Sequence, residues 1–140
     1  MADKKVTVLD VQQAKKEGRK LTMLTAYDYP LGLMAAESGV DIVLVGDSLG
    51  MVVMGLQGTV EVTMENMIHH IKAVVRGCQG PLIVGDMPFM SYNTSIREAI
   101  INLASTYPLP PAAAMVCWSA WNCTITCLAP VPRFLLPWPI

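Results

Sequence analysis

Two aspartates that directly follow short apolar runs are the residues of this chain best suited to metal chemistry. Asp47 ends the run IVLVGD at 42–47, and Asp86 ends the run LIVGD at 82–86. Runs of this composition are typical of strands buried on both faces of a parallel sheet. Carboxylate oxygens suit Mg²⁺ or Mn²⁺, so two of them on neighbouring strand ends would hold a divalent cation together. A single Gly-Asp pair also fits a turn or an N-cap, but its repetition favours a site.

Other polar residues stand near the same predicted strand ends. The hydroxyl of Ser48 and nearby backbone N–H groups could bind a carboxylate or phosphate, or could hydrogen-bond within the turn. Tyr27 and Asp28 follow the first predicted strand, where they either form a turn or line the site. His69 and His70 have no metal-ligand partner one helical turn away, so packing or solvent exposure is expected. The chain lacks a Walker A lysine and a GxGxxG motif, so nucleotide binding is not supported.

Three strands alternating with helices must position these residues. Strands are predicted at 21–25, 41–45 and 82–84, helices at 7–17, 31–38, 64–76 and 95–104, and a glycine-rich loop at 46–62. This order predicts an α/β protein with parallel strands and right-handed crossovers. In such proteins ligands gather at the carboxyl ends of the strands. A doubly wound sheet and a (β/α)8 barrel share the pattern, and a barrel needs about 250 residues, so here it would be incomplete.

The composition changes sharply near residue 104. Of the 21 charged residues, only Arg133 follows Glu98, and all three tryptophans and seven of the ten prolines lie after residue 104. We therefore predict two parts: an α/β part at 1–104 and a Pro/Trp/Cys-rich apolar tail at 105–140.

Several classes of protein are not favoured by the composition. A net charge of −1 gives no argument for nucleic acid. The polar, charged start does not resemble a secretory signal, so a cytoplasmic location is expected. Four cysteines do not form a disulfide framework, and Cys117, Cys123 and Cys127 lack the spacing of a zinc site. The uncharged run 112–130 is long enough to cross a bilayer, but polar residues interrupt it and prolines flank it, so a membrane span is not favoured.

Three motifs together resemble one enzyme family. They are TMLTAYDYP at 22–30, VGDSLGMVVMG at 45–55 and GDMPFMSY at 85–92. In order and spacing they are similar to ketopantoate hydroxymethyltransferase (3-methyl-2-oxobutanoate hydroxymethyltransferase), an enzyme of pantothenate synthesis. The resemblance covers about residues 3–105.

The resemblance implies a fold, a reaction and a set of site residues. The expected fold is the first three βα units of a (β/α)8 barrel of the phosphoenolpyruvate-binding type, in a homo-oligomer. The implied reaction transfers a hydroxymethyl group from 5,10-methylenetetrahydrofolate to the small α-keto acid 3-methyl-2-oxobutanoate. Asp47 and Asp86 match the family's Mg²⁺-binding aspartates, and Ser48 matches a residue that contacts the keto acid.

The chain departs from the family pattern after about residue 105. The family continues with a VKLEGG-like strand and, later, a glutamate that acts as the catalytic base, whereas no Lys or Glu follows Glu98 here. We therefore assign no catalytic base, expect no turnover by these 140 residues, and interpret the tail as a product of truncation or a frameshift. Two alternatives stay open. The apolar tail could dock to a membrane or partner, or the chain could be another metal-dependent α-keto-acid enzyme of the same barrel type.

Overall fold

A computed structural model describes residues 5–105, 113–119 and 122–126. The helices are α1 (Val8–Lys16), α2 (Tyr29–Glu37), α3 (Leu49–Val52), α4 (Met64–Gly77) and α5 (Ile96–Ser105). The strands are β1 (Met23–Thr25), β2 (Ile42–Val45), β3 (Leu82–Asp86), β4 (Ala113–Ser119) and β5 (Asn122–Thr126). They form one sheet in sequence order, parallel from β1 to β4, with β5 antiparallel to β4.

The predicted α/β class and the parallel order of the first three strands are confirmed. The prediction of an unbroken loop over 46–62 is wrong, because Leu49–Val52 forms a short helix around the fully buried side chain of Leu49. Helix α2 begins at Tyr29, two residues earlier than predicted, because Asp28 caps it. The Asp28 Oδ1 accepts a 2.9 Å hydrogen bond from the Leu31 amide, and Pro30 suits the first helical turn.

The sheet continues into the compositionally distinct part of the chain. The backbone of β4 pairs in parallel with β3, with Ala113 opposite Ile83. The division into 1–104 and 105–140 nevertheless stays a prediction. The uncharged run 112–130 lies partly outside the described residues, and its described parts form β4 and β5. Within the described ranges, no helix has the length and apolar character needed to cross a bilayer.

Side chains of β2 and β3 are buried on both faces of the sheet, as the apolar runs predict. Helix α4 covers one face with its fully buried Met67, Ile71 and Val74, which pack against Val43 and Val45. Burial of each such side chain stabilises the fold by roughly 1.5–3 kcal/mol. On the opposite face a second cluster joins alternate strand residues to the amino-terminal helix; its members include Ile42, Leu82, Val84, Val8 and Val11.

Two glycines allow α2 and α4 to pack closely. A Cβ atom on Gly32 would lie 2.9 Å from the carbonyl oxygen of Val74, and one on Gly77 would collide with the carbonyl oxygen of Tyr29. Both obstacles are backbone atoms, which cannot rotate away as a side chain would. This close packing brings the middle of α4 next to the segment that joins β1 to α2, which carries part of the candidate site.

Candidate functional site

The structure brings Asp47 and Asp86 together at the carboxyl edge of the sheet. Strands β2 and β3 are neighbours, with Val45 opposite Gly85, so the residues that follow Val45 lie next to the end of β3. The backbone N–H of Asp47 donates a 3.2 Å hydrogen bond to Oδ2 of Asp86. Both aspartates are half-buried. The sequence argument that the two strand ends meet is therefore supported by the geometry.

Asp86 has an unusually high pKa for a carboxyl group. Burial raises its pKa from 3.8 to about 6, and the negative charge of Asp47 adds to the increase. Only the hydrogen bond from the Asp47 amide acts in the opposite direction among the causes of this shift. None of the described residues places a cation that lowers the pKa of Asp86, and a bound cation would supply that positive charge.

The glycine of the repeated Gly-Asp pair has a steric role at position 46. A Cβ atom there would lie 2.9 Å from Oγ of Ser48 and 3.4 Å from Oδ2 of Asp86. The serine hydroxyl and the carboxylate thus both lie beside Gly46, and any larger residue would crowd them. Gly46 is itself buried, so rotation of the Ser48 side chain would have to relieve the crowding.

Ser48 is held by the phenol of Tyr27 rather than by the local turn. Its Oγ lies 2.9 Å from the Tyr27 hydroxyl, in a partly buried contact. Ser48 is the N-terminal boundary residue of α3, but its side chain makes no capping hydrogen bond there. The contact with Ser48 favours a site-lining role for Tyr27. Asp28, by contrast, caps α2.

His70 contacts this site in a way that the sequence analysis missed. Its Nδ1 lies 2.6 Å from the backbone carbonyl oxygen of Tyr27, although the two residues are far apart in sequence. His69, one position earlier, is exposed, as expected. Helical spacing distinguishes the two histidines, because position 70 follows Met67 by three residues and precedes Val74 by four, on the buried side of α4. That spacing is the sequence signal for His70, and the packing of α2 on α4 decides what its ring contacts.

The donor set fits a hard divalent cation with few protein ligands. The part of the chain with described side chains contains no cluster of three or more His, Cys, Asp or Glu residues that could hold a metal. Mg²⁺ commonly binds through one or two carboxylates and completes its coordination with water and substrate oxygens. Two carboxylates at one strand edge match that requirement. Cys117 and Cys123 lie in strands whose side chains are not described, and Cys127 lies outside the described residues.

The fold and the site together define an α/β protein with a pair of acidic side chains at the carboxyl edge of a parallel sheet. The family model for ketopantoate hydroxymethyltransferase matches residues 5–115 of the chain. The chain therefore belongs to the ketopantoate hydroxymethyltransferase family. The match extends about ten residues beyond residue 105, where the resemblance in the sequence ends.

Curated relatives agree with the family assignment. The chain is 55% identical over 98 residues to 3-methyl-2-oxobutanoate hydroxymethyltransferase of Carboxydothermus hydrogenoformans, covering 70% of this chain and 36% of the relative. It is 57% identical over 98 residues to the Clostridium novyi enzyme of the same name, with the same coverage. For the Acetivibrio thermocellus enzyme the identity is 54%, covering 70% of this chain and 35% of the relative. The matched segment thus spans about a third of the length of these relatives.

Proposed function

We propose that the carboxyl edge of this sheet binds a divalent cation together with an α-keto acid, in the reaction that gives the family its name. The observation that carries the proposal is the meeting of Asp47 and Asp86 on adjacent strand ends, with a raised pKa at Asp86. The metal would be Mg²⁺, the keto acid 3-methyl-2-oxobutanoate, and the one-carbon donor 5,10-methylenetetrahydrofolate. The names of the relatives support the substrate.

Each site residue has a distinct role in this proposal. Asp47 and Asp86 would hold the cation, and Ser48 would donate a hydrogen bond to the carboxylate of the keto acid. Gly46 leaves room for the substrate between them. When bound, the cation would act as a Lewis acid and stabilise the negative charge that develops on the keto oxygen.

The reaction breaks a C–H bond at carbon 3 of the keto acid and forms a C–C bond to the methylene carbon of the folate. Both C–N bonds from that carbon to the folate break, water supplies the hydroxyl group, and tetrahydrofolate leaves. A general base must accept the proton from carbon 3. Nothing described here provides a match for the family's glutamate base, and no Lys or Glu follows Glu98. We therefore propose that this chain contributes the cation and keto-acid half of the site. The absence of turnover by these 140 residues stays a prediction.

The wider expectations from the family are also proposals. They are a (β/α)8 barrel of the phosphoenolpyruvate-binding type, assembly into a homo-oligomer and a cytoplasmic location. The parallel order of β1, β2 and β3 is consistent with the first units of such a barrel. Among the described residues, no contact favours a membrane- or partner-docking tail or another metal-dependent α-keto-acid enzyme of the same barrel type.

Calorimetric titration of 3-methyl-2-oxobutanoate into the full chain tests the proposal. We expect binding in the presence of Mg²⁺ and much weaker binding without it, because the cation and the keto acid share the same edge. The matched control ligand is 3-methylbutanoate, which has the carboxylate but lacks the keto oxygen needed for chelation. Equal binding of the two acids, or binding unaffected by Mg²⁺, would contradict the proposal.

A further inference from the structure

We propose that His70 and Tyr27 are positioning residues that direct the Ser48 hydroxyl toward the carboxylate of the bound keto acid. The inference rests on the proposed function for its ligand. Tyr27 and His70 are thereby added to the residues of the proposed site. Neither coordinates the metal, and neither is required to touch the substrate. Its basis is a chain of two hydrogen bonds that connects the middle of α4 to Ser48.

The first link fixes the proton on the His70 ring. The backbone carbonyl of Tyr27 has no hydrogen, so at 2.6 Å the Nδ1 of His70 must be the donor. Neutral His70 is therefore the Nδ1–H tautomer, whose Nε2 carries the lone pair. The histidine acts on the backbone of Tyr27 and thereby holds the segment between β1 and α2 against α4.

The second link sets the direction of the Ser48 hydroxyl. The backbone just before Tyr27 is held in place, because the Ala26 amide donates a 2.9 Å hydrogen bond to the Leu44 carbonyl of β2. Its phenol then lies 2.9 Å from Ser48 Oγ. A phenol is the better proton donor of the two hydroxyls. When Tyr27 donates to Ser48, the proton of Ser48 is available for another acceptor. Ser48 Oγ and Asp86 Oδ2 lie on the same side of Gly46, 2.9 Å and 3.4 Å from where a Cβ atom on that glycine would be.

The chain contains its own matched control for the first link. His69 and His70 are adjacent on α4 and are the only two histidines in the sequence. His69 is exposed, whereas His70 is half-buried and hydrogen-bonded to Tyr27. A general effect of removing an imidazole from α4 would appear in both variants, but loss of the positioning contact would appear only at position 70.

The test combines an NMR measurement with ligand titrations on the full chain. Side-chain ¹⁵N spectra, assigned with His69→Ala, report the tautomer of His70, and we expect Nδ1–H. Titration of 3-methyl-2-oxobutanoate at saturating Mg²⁺ is then compared among wild type, Tyr27→Phe, His70→Ala, His70→Asn and His69→Ala. Tyr27→Phe and His70→Ala should each weaken keto-acid binding by about 3- to 10-fold, the effect of losing one hydrogen bond.

Two further readouts separate positioning from simple loss of structure. His70→Asn should stay within about twofold of wild type, because the asparagine amide nitrogen can replace Nδ1 as a donor. Affinity for Mg²⁺ alone should be unchanged in every variant, because neither residue supplies a metal ligand. Thermal unfolding of each variant confirms that it is folded.

The outcomes distinguish this inference from the proposed function. An Nε2–H tautomer at His70, or wild-type keto-acid affinity in Tyr27→Phe, overturns the inference and leaves the proposed function standing. A parallel loss of Mg²⁺ affinity in His70→Ala also overturns it, because a positioning role for Ser48 does not extend to the aspartates. If the wild-type chain binds no keto acid at saturating Mg²⁺, the proposed function fails, and the positioning role fails with it.

Discussion

Two aspartates at opposite ends of the same parallel sheet have opposite electrostatic environments. Asp41 stands just before β2, at the amino end of the strands, and Asp86 ends β3 at the carboxyl end. The pKa of Asp41 lies below its usual value, chiefly because its carboxylate accepts a hydrogen bond from the Thr22 amide. The pKa of Asp86 is raised to about 6 by burial and by Asp47. The charged form of the first carboxylate is stabilised by the protein, whereas that of the second is disfavoured, as the proposed cation site requires.

This difference separates the structural role of Asp41 from the proposed functional role of Asp86. Oδ2 of Asp41 accepts hydrogen bonds from the Thr22 amide at 2.8 Å and from the Thr22 hydroxyl at 2.9 Å. Arg19 adds a long contact of 3.5 Å to the other oxygen. These bonds tie β1 to the start of β2. In α/β barrels the amino ends of the strands serve stability and the carboxyl ends serve binding. The proposed function assigns both roles to aspartates of this chain.

The largest expected effect is on metal binding. Asp86→Asn should lower the affinity for Mg²⁺ by at least about 100-fold, because even outer-shell changes at metal sites cost about 10- to 100-fold. Asp41→Asn should change it by less than about twofold, since screening limits the influence of an exposed distant charge. Calorimetric titration of Mg²⁺ into both variants measures the difference. Equal losses of Mg²⁺ affinity in the two variants would contradict the assignment of metal binding to the carboxyl ends of the strands.

The same pair of substitutions should change stability in opposite directions in metal-free buffer. Asp41→Asn should lower the free energy of unfolding by about 1–2 kcal/mol, because hydrogen bonds to a charged acceptor are weakened. Asp86→Asn should raise it by about 1 kcal/mol after allowance for partial exposure, because the buried charge and its repulsion with Asp47 are removed. Urea unfolding at pH 7 measures both, and a loss of stability in Asp86→Asn would contradict the account.

The pH dependence of stability should also distinguish the two ends. Between about pH 4 and 6, folded Asp86 keeps a proton that the unfolded chain releases, so metal-free stability should fall as pH rises through this window. Asp41 has the opposite sign: its contribution is present above its ordinary pKa of 3.8 and is lost as pH falls below it. Urea unfolding across about pH 4–7.5 should show a smaller decline in Asp86→Asn than in wild type. An equal decline in the two proteins would show that other titrating groups cause the loss of stability.

A smaller effect is expected where Gly46 keeps the carboxyl edge open. Gly46→Ala should weaken keto-acid binding by about 3- to 10-fold, because the new Cβ would displace the Ser48 hydroxyl and cost about one hydrogen bond. Stability should change little, since Ser48 can rotate. Gly58→Ala is the matched control, because a Cβ there meets nothing within 4 Å. Keto-acid titration of both variants gives the comparison, and equal affinities would show that crowding at Gly46 is unimportant.

The smallest expected effect concerns backbone strain. The turns leading into β1, β2 and β3 place glycine at positive φ: Gly18 at 67°, Gly39 at 74° and Gly80 at 109°. The loop that leaves β3 instead places Met90 at a φ of 64°. Met90→Gly should therefore raise the free energy of unfolding by about 0.5–1 kcal/mol, because the left-handed conformation strains a residue with a Cβ. Thermal unfolding measures this change. If Met90→Gly lowers the stability instead, the contacts of the Met90 side chain stabilise the fold by more than the backbone strain destabilises it.

The sequence predicted the part of the site that depends on strand order. The two apolar runs ending in Gly-Asp determine that Asp47 and Asp86 meet, because parallel strands bring their carboxyl ends to one edge. The role of Tyr27 was left open, since the reach of a phenol to Ser48 depends on where the β1–α2 segment lies. His70 was missed, because its place on the buried side of α4 was not used and its contact with Tyr27 depends on the glycine-mediated packing of α2 on α4.

The starts of two helices could be predicted from the sequence because capping residues mark them. Thr7 and Thr63 cap α1 and α4 through side-chain bonds that the sequence pattern predicts. The short helix at Leu49–Val52 was missed, because it has one turn and lies in a glycine-rich segment where burial of Leu49 outweighs intrinsic preference. Pairing of β4 with β3 was also not expected, since the composition of the tail differs from that of the preceding strands.

The central claim is tested most directly by the carboxyl pKa values of Asp86 and Asp41, measured in one ¹³C NMR titration with and without Mg²⁺. The account predicts a pKa of about 6 for Asp86 without metal and a marked decrease on saturation, because the cation favours the charged carboxylate. Asp41 should titrate below its usual value in both series. An ordinary pKa for Asp86, or one that Mg²⁺ leaves unchanged, would contradict the claim that this end of the sheet is the metal site.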